Sequence, residues 1–188
     1  MSELFKQWPT TLGRQALAGI CRERGLTKTA VEIGVWRGDF SRPFFDEWDG
    51  EKMYLIDPWQ PPAGYVDIRA DEHDPSDYQY VMDRFIGFQE RVNILKTTSK
   101  LALRHGFVPN DLSFVYIDGD HSFNAVLFDM INWYEKLAPG GILAGHDLFA
   151  PELCGVTNAV VEFARLHNEI DSVHVIADNY DSWFVIKP

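Results

Sequence analysis

The chain has 188 residues, 46% of them apolar and 14% aromatic, which suits one ordered domain with a sizeable core. Its formal charge of −11 repels nucleic-acid phosphates, and no apolar run has membrane-spanning length, so neither nucleic acid nor membrane is an expected partner. Cys21 and Cys154 have no metal-ligand or redox spacing, and Glu3, Lys6 and Trp8 interrupt any secretory pattern, so the expectation is a cytoplasmic protein with buried thiols.

In chain order, residues 1–27 are expected to form a helical extension of a single domain spanning 1–188. Thr10 or Thr11 can cap a first helix carrying Leu12, Ala16 and Ile20 at helical spacing, and Gly25 can end it. A buried strand is predicted over 28–33, a helix over 39–48 and a second strand over 52–57. Residues 58–74, with three prolines, Gly64 and several carboxylates, read as a long loop and a candidate lid. Within it, Asp71, Glu72, His73 and Asp74 form an acidic cluster expected to be solvated. Helical spacing resumes after Pro75, with Tyr78, Val81, Met82 and Phe85 on one face.

A strand over 91–95, a short helix over 99–105 and a strand over 113–117 follow. Ser122 can cap the next helix, whose Val126, Leu127, Met130, Ile131 and Tyr134 make a broad apolar face. Pro139-Gly140-Gly141 ends that helix and starts a strand over 142–144. A helix over 155–169 and strands over 173–177 and 183–186 complete the chain. Alternating short apolar strands and helices imply a parallel sheet covered on both faces. Only residues 178–182 separate the last two strands, too few for a crossover helix, so the final strand should run antiparallel. The predicted class is therefore α/β, a Rossmann-like seven-stranded sheet with six parallel strands, one antiparallel strand and helices on both faces.

The run Glu32-Ile33-Gly34-Val35-Trp36-Arg37-Gly38-Asp39-Phe40-Ser41 orders a strand end, a glycine turn and a helix start. Glycines permit close backbone approach, and free helix N–H groups attract polar parts of a ligand. Asp57 stands nineteen residues past Gly38 at the next strand end, where a carboxylate can accept from two ribose hydroxyls. Together they point to an adenosine-bearing cofactor. The richest titratable cluster is Asp118-Gly119-Asp120-His121 with His146-Asp147 one βα unit later, both at carboxyl ends of strands. Converging like charges require a cation or a proton to compensate them.

Across 31–187 the ordered motifs are Glu32-x-Gly34-x3-Gly38-x2-Ser41, Leu55-Ile56-Asp57-Pro58-Trp59, Thr98-Ser99, Ile117-Asp118-Gly119-Asp120-His121-Ser122-Phe123, Pro139-Gly140-Gly141, Gly145-His146-Asp147, Gly155-Val156, Ala159-Val160 and Trp183-Phe184-Val185-Ile186-Lys187. This series resembles the class I S-adenosylmethionine-dependent methyltransferases, in the small-molecule O-methyltransferase branch related to macrocin-type sugar enzymes. The resemblance implies S-adenosylmethionine as cofactor, a small-molecule hydroxyl as acceptor and a homo-oligomer as an open option. It implies cofactor-binding roles for Glu32 (the methionine amino group), Gly34, Gly38, Ser41, Asp57 (ribose), Thr98 and Ser99 (adenine), and Asp118.

In metal-dependent relatives the resemblance also implies divalent-metal ligands, here Asp118, His146 and Asp147, with His146 in place of a carboxylate. Magnesium prefers oxygen donors, so an imidazole weakens the case for magnesium and admits a transition metal or no metal at all. Asp120 and His121 fall where relatives carry a catalytic base, and an imidazole is the better proton acceptor near neutral pH. Trp36 stands where many methyltransferases keep a glycine. Trp59 can pack on the adenosine or in the core, and Ser99 can equally be a helix cap. Two other functions stay open. A nicotinamide-dependent oxidoreductase is disfavoured by the Gly34-x3-Gly38 spacing and by the lack of a Tyr-x-x-x-Lys pair. The other is a non-catalytic protein that binds the same cofactor.

Overall fold

The computed structural model describes residues 4–60, 64–66, 72, 74–150, 154–168 and 170–188. Eight strands form one sheet in the order β1-β7-β8-β6-β5-β2-β3-β4. They are β1 Phe5–Gln7, β2 Thr29–Ile33, β3 Lys52–Asp57, β4 Val92–Lys96, β5 Leu112–Ile117, β6 Leu137–Gly145, β7 Val173–Ile176 and β8 Ser182–Ile186. β8 pairs antiparallel with both β6 and β7, while every other pairing is parallel. The mostly parallel α/β sheet and its antiparallel final strand are thus as expected. The seven expected strands are joined by an eighth, β1, at the edge beside β7.

Strand alternation sends consecutive side chains to opposite faces, and β5 divides the core accordingly. Phe114 and Tyr116 enter one cluster, whereas Val115 and Ile117 enter the other. The first face is covered by α1 (Ala16–Glu23), α2 (Ser41–Glu47) and α3 (Asp77–Arg84) through Leu17, Phe44, Phe45 and Val81. The second is covered by α4 (Ser99–Arg104), α5 (Phe123–Lys136) and α6 (Cys154–Leu166) through Ala102, Met130, Trp133 and Phe163. Aromatic stacking concentrates on the first face, where Phe40 lies 3.7 Å from Tyr116 and Phe44 lies 4.6 Å from Phe114 between ring centroids.

The N-terminal extension is not wholly helical. β1 is followed by a 3₁₀ turn, Gly13–Gln15, and α1 begins only at Ala16. Gly13 has φ +55°, which breaks the helical path and leaves Leu12 exposed outside the helix. Thr10 Oγ1 accepts from the Leu12 N–H, a local turn in place of a helix cap. Gly25 ends α1 as expected, with its N–H on the Arg22 carbonyl and that of Leu26 on the Cys21 carbonyl. Ser122 caps α5 by accepting from the Ala125 N–H. In α3 Val81 is buried, as is Phe85 just beyond its end, but Met82 is exposed, so the apolar face is narrower than its spacing suggested.

Cys21 is a buried free thiol, raised in pKa by desolvation, while the Cys154 side chain lies outside the described residues. Among the described residues no helix is long and apolar enough to cross a membrane.

Candidate active site

The carboxyl ends of β2, β3, β5 and β6 meet at one rim, and two adjoining hollows open there. The first, with about 680 Å³ of open space, is lined by Arg14, Glu32, Gly34, Asp118, His121, His146 and Asp147 among others. The second, about 1110 Å³, has Ile33, Ile56, Pro58 and Phe128 as apolar wall and Thr98, Ser99, Asp120 and Asp129 as polar wall. Gly34 and Tyr65 border both, so the two hollows form one elongated cleft.

Gly34 makes this cleft possible. Its φ is +82°, and a Cβ built there would meet the Asp118 carbonyl oxygen at 2.1 Å and Gly119 Cα at 2.6 Å. The strand ends close tightly over it: Asp118 N–H donates to the Ile33 carbonyl at 2.8 Å, and Gly34 N–H to the Ile56 carbonyl at 2.9 Å. Asp57 then fixes the turn. Its Oδ2 accepts from the N–H groups of Val35 at 2.8 Å and Trp36 at 2.9 Å, and its Oδ1 accepts from the Trp59 N–H. Trp36 takes φ +47°, so the position keeps a left-handed backbone without glycine. Its indole donates to Asp77 and its carbonyl accepts from the Trp59 indole at 2.7 Å. Trp59 is buried and acts as a brace of the turn.

Glu32 is 1% exposed and accepts from the Ser41 hydroxyl, whose residue is fully buried. Burial pushes the Glu32 carboxyl well above the usual range; Ser41 opposes this, and nearby Asp118 adds to it. Gly38 turns the chain with φ +74° outside the cleft lining, and Ser41 reaches the cleft only through Glu32. Thr98, not Ser99, caps α4. Ser99 instead donates to Asp129 and accepts from the Trp133 indole at 2.8 Å.

Asp118, His121 and Asp147 each offer one ligand atom within a group spanning 4.8 Å or less. His121 Nε2 lies 3.0 Å from Asp147 Oδ2 and 3.6 Å from Asp118 Oδ1, yet is buried without an aligned hydrogen-bond partner. Its Nδ1 is 3.2 Å from the Val66 carbonyl. Burial alone would lower the His121 pKa, but the two carboxylates outweigh it and hold it up at about 10. They hold His146 up as well, against burial. In return the imidazoles keep Asp147 well below the usual carboxylate range, despite its burial. His146 Nδ1 sits 3.2 Å from Asp147 Oδ2 but 4.0 Å from Asp118 Oδ1.

So His121, expected as a base, joins the two aspartates more closely than His146 does. The raised pKa favours the protonated imidazole near neutral pH. Asp120 turns away from this cluster: its Oδ1 accepts from the Ser122 N–H at 2.9 Å, and it lines the second hollow. α6 packs directly behind, where a Cβ on Gly155 would meet the His121 carbonyl oxygen at 2.3 Å. Asp147 itself has φ +54°, a non-glycine residue held in the left-handed region within the cluster.

Two cleft residues lay outside the sequence expectations. Arg14 reaches in from the 3₁₀ turn to place Nη1 3.3 Å from Asp118 Oδ2. Asp129, buried beneath the second hollow, is raised to about 7 chiefly by desolvation, with Ser99 opposing and Asp120 adding to the rise. Of the expected lid, Tyr65 lines both hollows and Val66 bonds the backbone of His121; Glu72 and Asp74 are exposed, and Asp71 and His73 lie outside the described residues.

Residues 31–148, which carry all these strand ends, match the model of a family described as a methyltransferase domain. The chain belongs to that family. It is accordingly an S-adenosylmethionine-dependent methyltransferase, as the sequence motifs implied. No curated protein matches the sequence. Among solved structures, the O-methyltransferase NovP is 15% identical with a TM-score of 0.68, covering 93% of this chain and 77% of its own. An O-methyltransferase from Bacillus cereus in complex with SAH is 11% identical, TM-score 0.66, covering 96% and 83%. A precorrin 8w decarboxylase from Methanobacterium thermoautotrophicum scores 0.62 at 14% identity, covering 96% and 92%. A fold shared by enzymes named for different reactions does not choose the acceptor, so the acceptor must be argued from the cleft. A specific likeness to macrocin-type enzymes is not among these matches.

Proposed function

We propose that this methyltransferase acts on a hydroxyl of a small molecule, with the donor lying along the elongated cleft and a divalent cation at Asp118, His121 and Asp147. The observation that carries the reading is that cluster: two aspartates and the His121 imidazole nitrogen, 3.0 Å from Asp147 Oδ2, converging at the end of the donor cleft. NovP and the Bacillus cereus protein are both named O-methyltransferases, which favours oxygen as the acceptor atom.

In this reading the adenine lies in the second hollow between Ile56, Pro58 and Phe128, within reach of Thr98 and Ser99. Asp57 takes the ribose while keeping the turn in place. The methionyl end lies near Glu32 and Asp118, where an incoming ammonium compensates the Glu32 charge that burial disfavours. The methyl group then faces the His121 and Asp147 end of the first hollow, where the acceptor oxygen is presented in line.

The cluster fits a cation chemically. Paired carboxylates need a compensating positive charge, His121 Nε2 lacks an aligned partner, and the nitrogen–oxygen donor set suits manganese, iron or zinc better than magnesium. When bound there, such an ion supplies Lewis acidity that lowers the pKa of an acceptor hydroxyl. Asp118 and Asp147 would hold such an ion, with His121 as the third ligand once its Nε2 proton has left to solvent. His146 keeps Asp147 oriented from the side.

Incubating the purified chain with S-adenosylmethionine and a panel of hydroxylated metabolites, before and after exhaustive chelation, tests the reading. Release of S-adenosylhomocysteine that chelation abolishes and manganese restores is expected. Undiminished turnover after chelation would overturn the cation site, and methylation confined to nitrogen acceptors would overturn the hydroxyl.

A further inference from the structure

Among the described residues that line the first hollow, Arg14 is the sole lysine or arginine. It does not arrive by chance. Gly13 takes φ +55° against Asp178, and the Arg14 N–H donates to Asp178 Oδ2 at 2.9 Å, so the turn is tied to the loop between β7 and β8. The side chain is 24% exposed and passes 6.0 Å from the centroid of the Phe40 ring. It meets one oxygen of Asp118 at 3.3 Å. It also meets the buried Tyr116 hydroxyl, and a guanidinium carries five N–H donors, so these two contacts leave donors for a ligand.

The neighbours identify that ligand. Glu32 and Asp118 supply anions at the same end of the hollow as this cation, close enough for Arg14 to act electrostatically on both. A ligand end that carries an ammonium and a carboxylate together matches this pattern, whereas a neutral hydroxylated acceptor has no use for it. Resting on the donor placement above, we propose that Arg14 binds the carboxylate of the donor's methionyl end, which makes the N-terminal turn part of the donor site. Planar guanidinium and carboxylate can pair through two parallel hydrogen bonds, and the tethered turn keeps the cation in place before binding.

Two probes separate the methionyl end from the rest of the donor: S-adenosylhomocysteine, and 5′-methylthioadenosine, which keeps the adenosine and sulfur but lacks the amino-acid end. Calorimetric titration of Arg14→Gln is expected to weaken S-adenosylhomocysteine about 10- to 100-fold and leave 5′-methylthioadenosine unchanged. Unchanged methylthioadenosine affinity also reports an intact fold. Arg14→Lys should keep part of the S-adenosylhomocysteine affinity, since it keeps the charge but loses the paired geometry. Equal weakening of both probes, or of neither, overturns the proposal. So does a loss that vanishes when Asp118→Asn is present, because Arg14 would then only neutralise Asp118. If the wild-type chain binds neither probe, the donor placement itself fails, a result distinct from the selective pattern.

Discussion

Gly34→Ala is the sharpest perturbation of the cleft. The added Cβ would sit 2.1 Å from the Asp118 carbonyl oxygen and 2.6 Å from Gly119 Cα, both backbone atoms that cannot rotate away. Relief requires β2 and β5 to part by about 1 Å at their carboxyl ends, in an interior that is close-packed. Left-handed backbone costs a non-glycine residue about 1–2 kcal/mol, and overpacking adds about 1–3 kcal/mol. The sum, ~2–5 kcal/mol, corresponds to a melting-point drop of ~5–20 °C for a chain of this length. The same shift moves Asp118 relative to Glu32, and an ångström of misplacement costs about 100-fold in turnover. Chemical denaturation, S-adenosylhomocysteine titration and turnover should all register it. Stability within about 0.5 kcal/mol of wild type, with unchanged affinity, would refute the argument that close backbone contact at Gly34 builds the cleft.

Asp118→Asn should abolish turnover, since it removes one carboxylate of the cluster; wild-type turnover in that variant would remove Asp118 from the chemistry. His121 holds its proton up to about 10, so an ion binding there must displace it. Manganese affinity should therefore rise about tenfold per pH unit between pH 7 and 9, with one proton released per ion; a pH-independent affinity would exclude His121 as a ligand. Asp129 is raised to about 7, so the folded state holds its proton where the unfolded chain has lost it. That contribution is full below the unfolded value near 3.8 and fades as pH rises through about 7, by a few kcal/mol in all. Asp129→Asn should flatten this decline in denaturant melts at pH 5 and pH 8, and an unchanged slope would show that Asp129 does not cause it.

Much of the fold was legible because the central strands end in short apolar runs, Ala-Val-Glu-Ile, Tyr-Leu-Ile, Phe-Val-Tyr-Ile and Ile-Leu-Ala, each followed by glycine or aspartate. β1 was not: Phe5–Gln7 is three residues with one apolar side chain, and only pairing with β7 makes it a strand. The first helix began later than Thr10 and Leu12 suggested, because Gly13 diverts the chain first.

In the site, residue types were legible but partners were not. Ser41 supports Glu32, and Asp57 clamps the glycine turn as well as facing the cleft. His121 and Asp120 are adjacent in sequence yet serve different hollows, because one points along the β5 rim and the other folds back on Ser122. Arg14 could not be read at all, since it meets Asp118 across 104 residues. Asp129 did leave a signal: it shares the inward face of α5 with Val126, Met130 and Trp133, where a charge is out of place.

A crystal structure with S-adenosylhomocysteine and manganese tests the central claim most directly. Adenine in the hollow beside Thr98 and Ser99, the amino-acid end at Glu32, and anomalous signal among Asp118, His121 and Asp147 are predicted. Ligand density outside this cleft, or manganese bound away from those three residues, would contradict it.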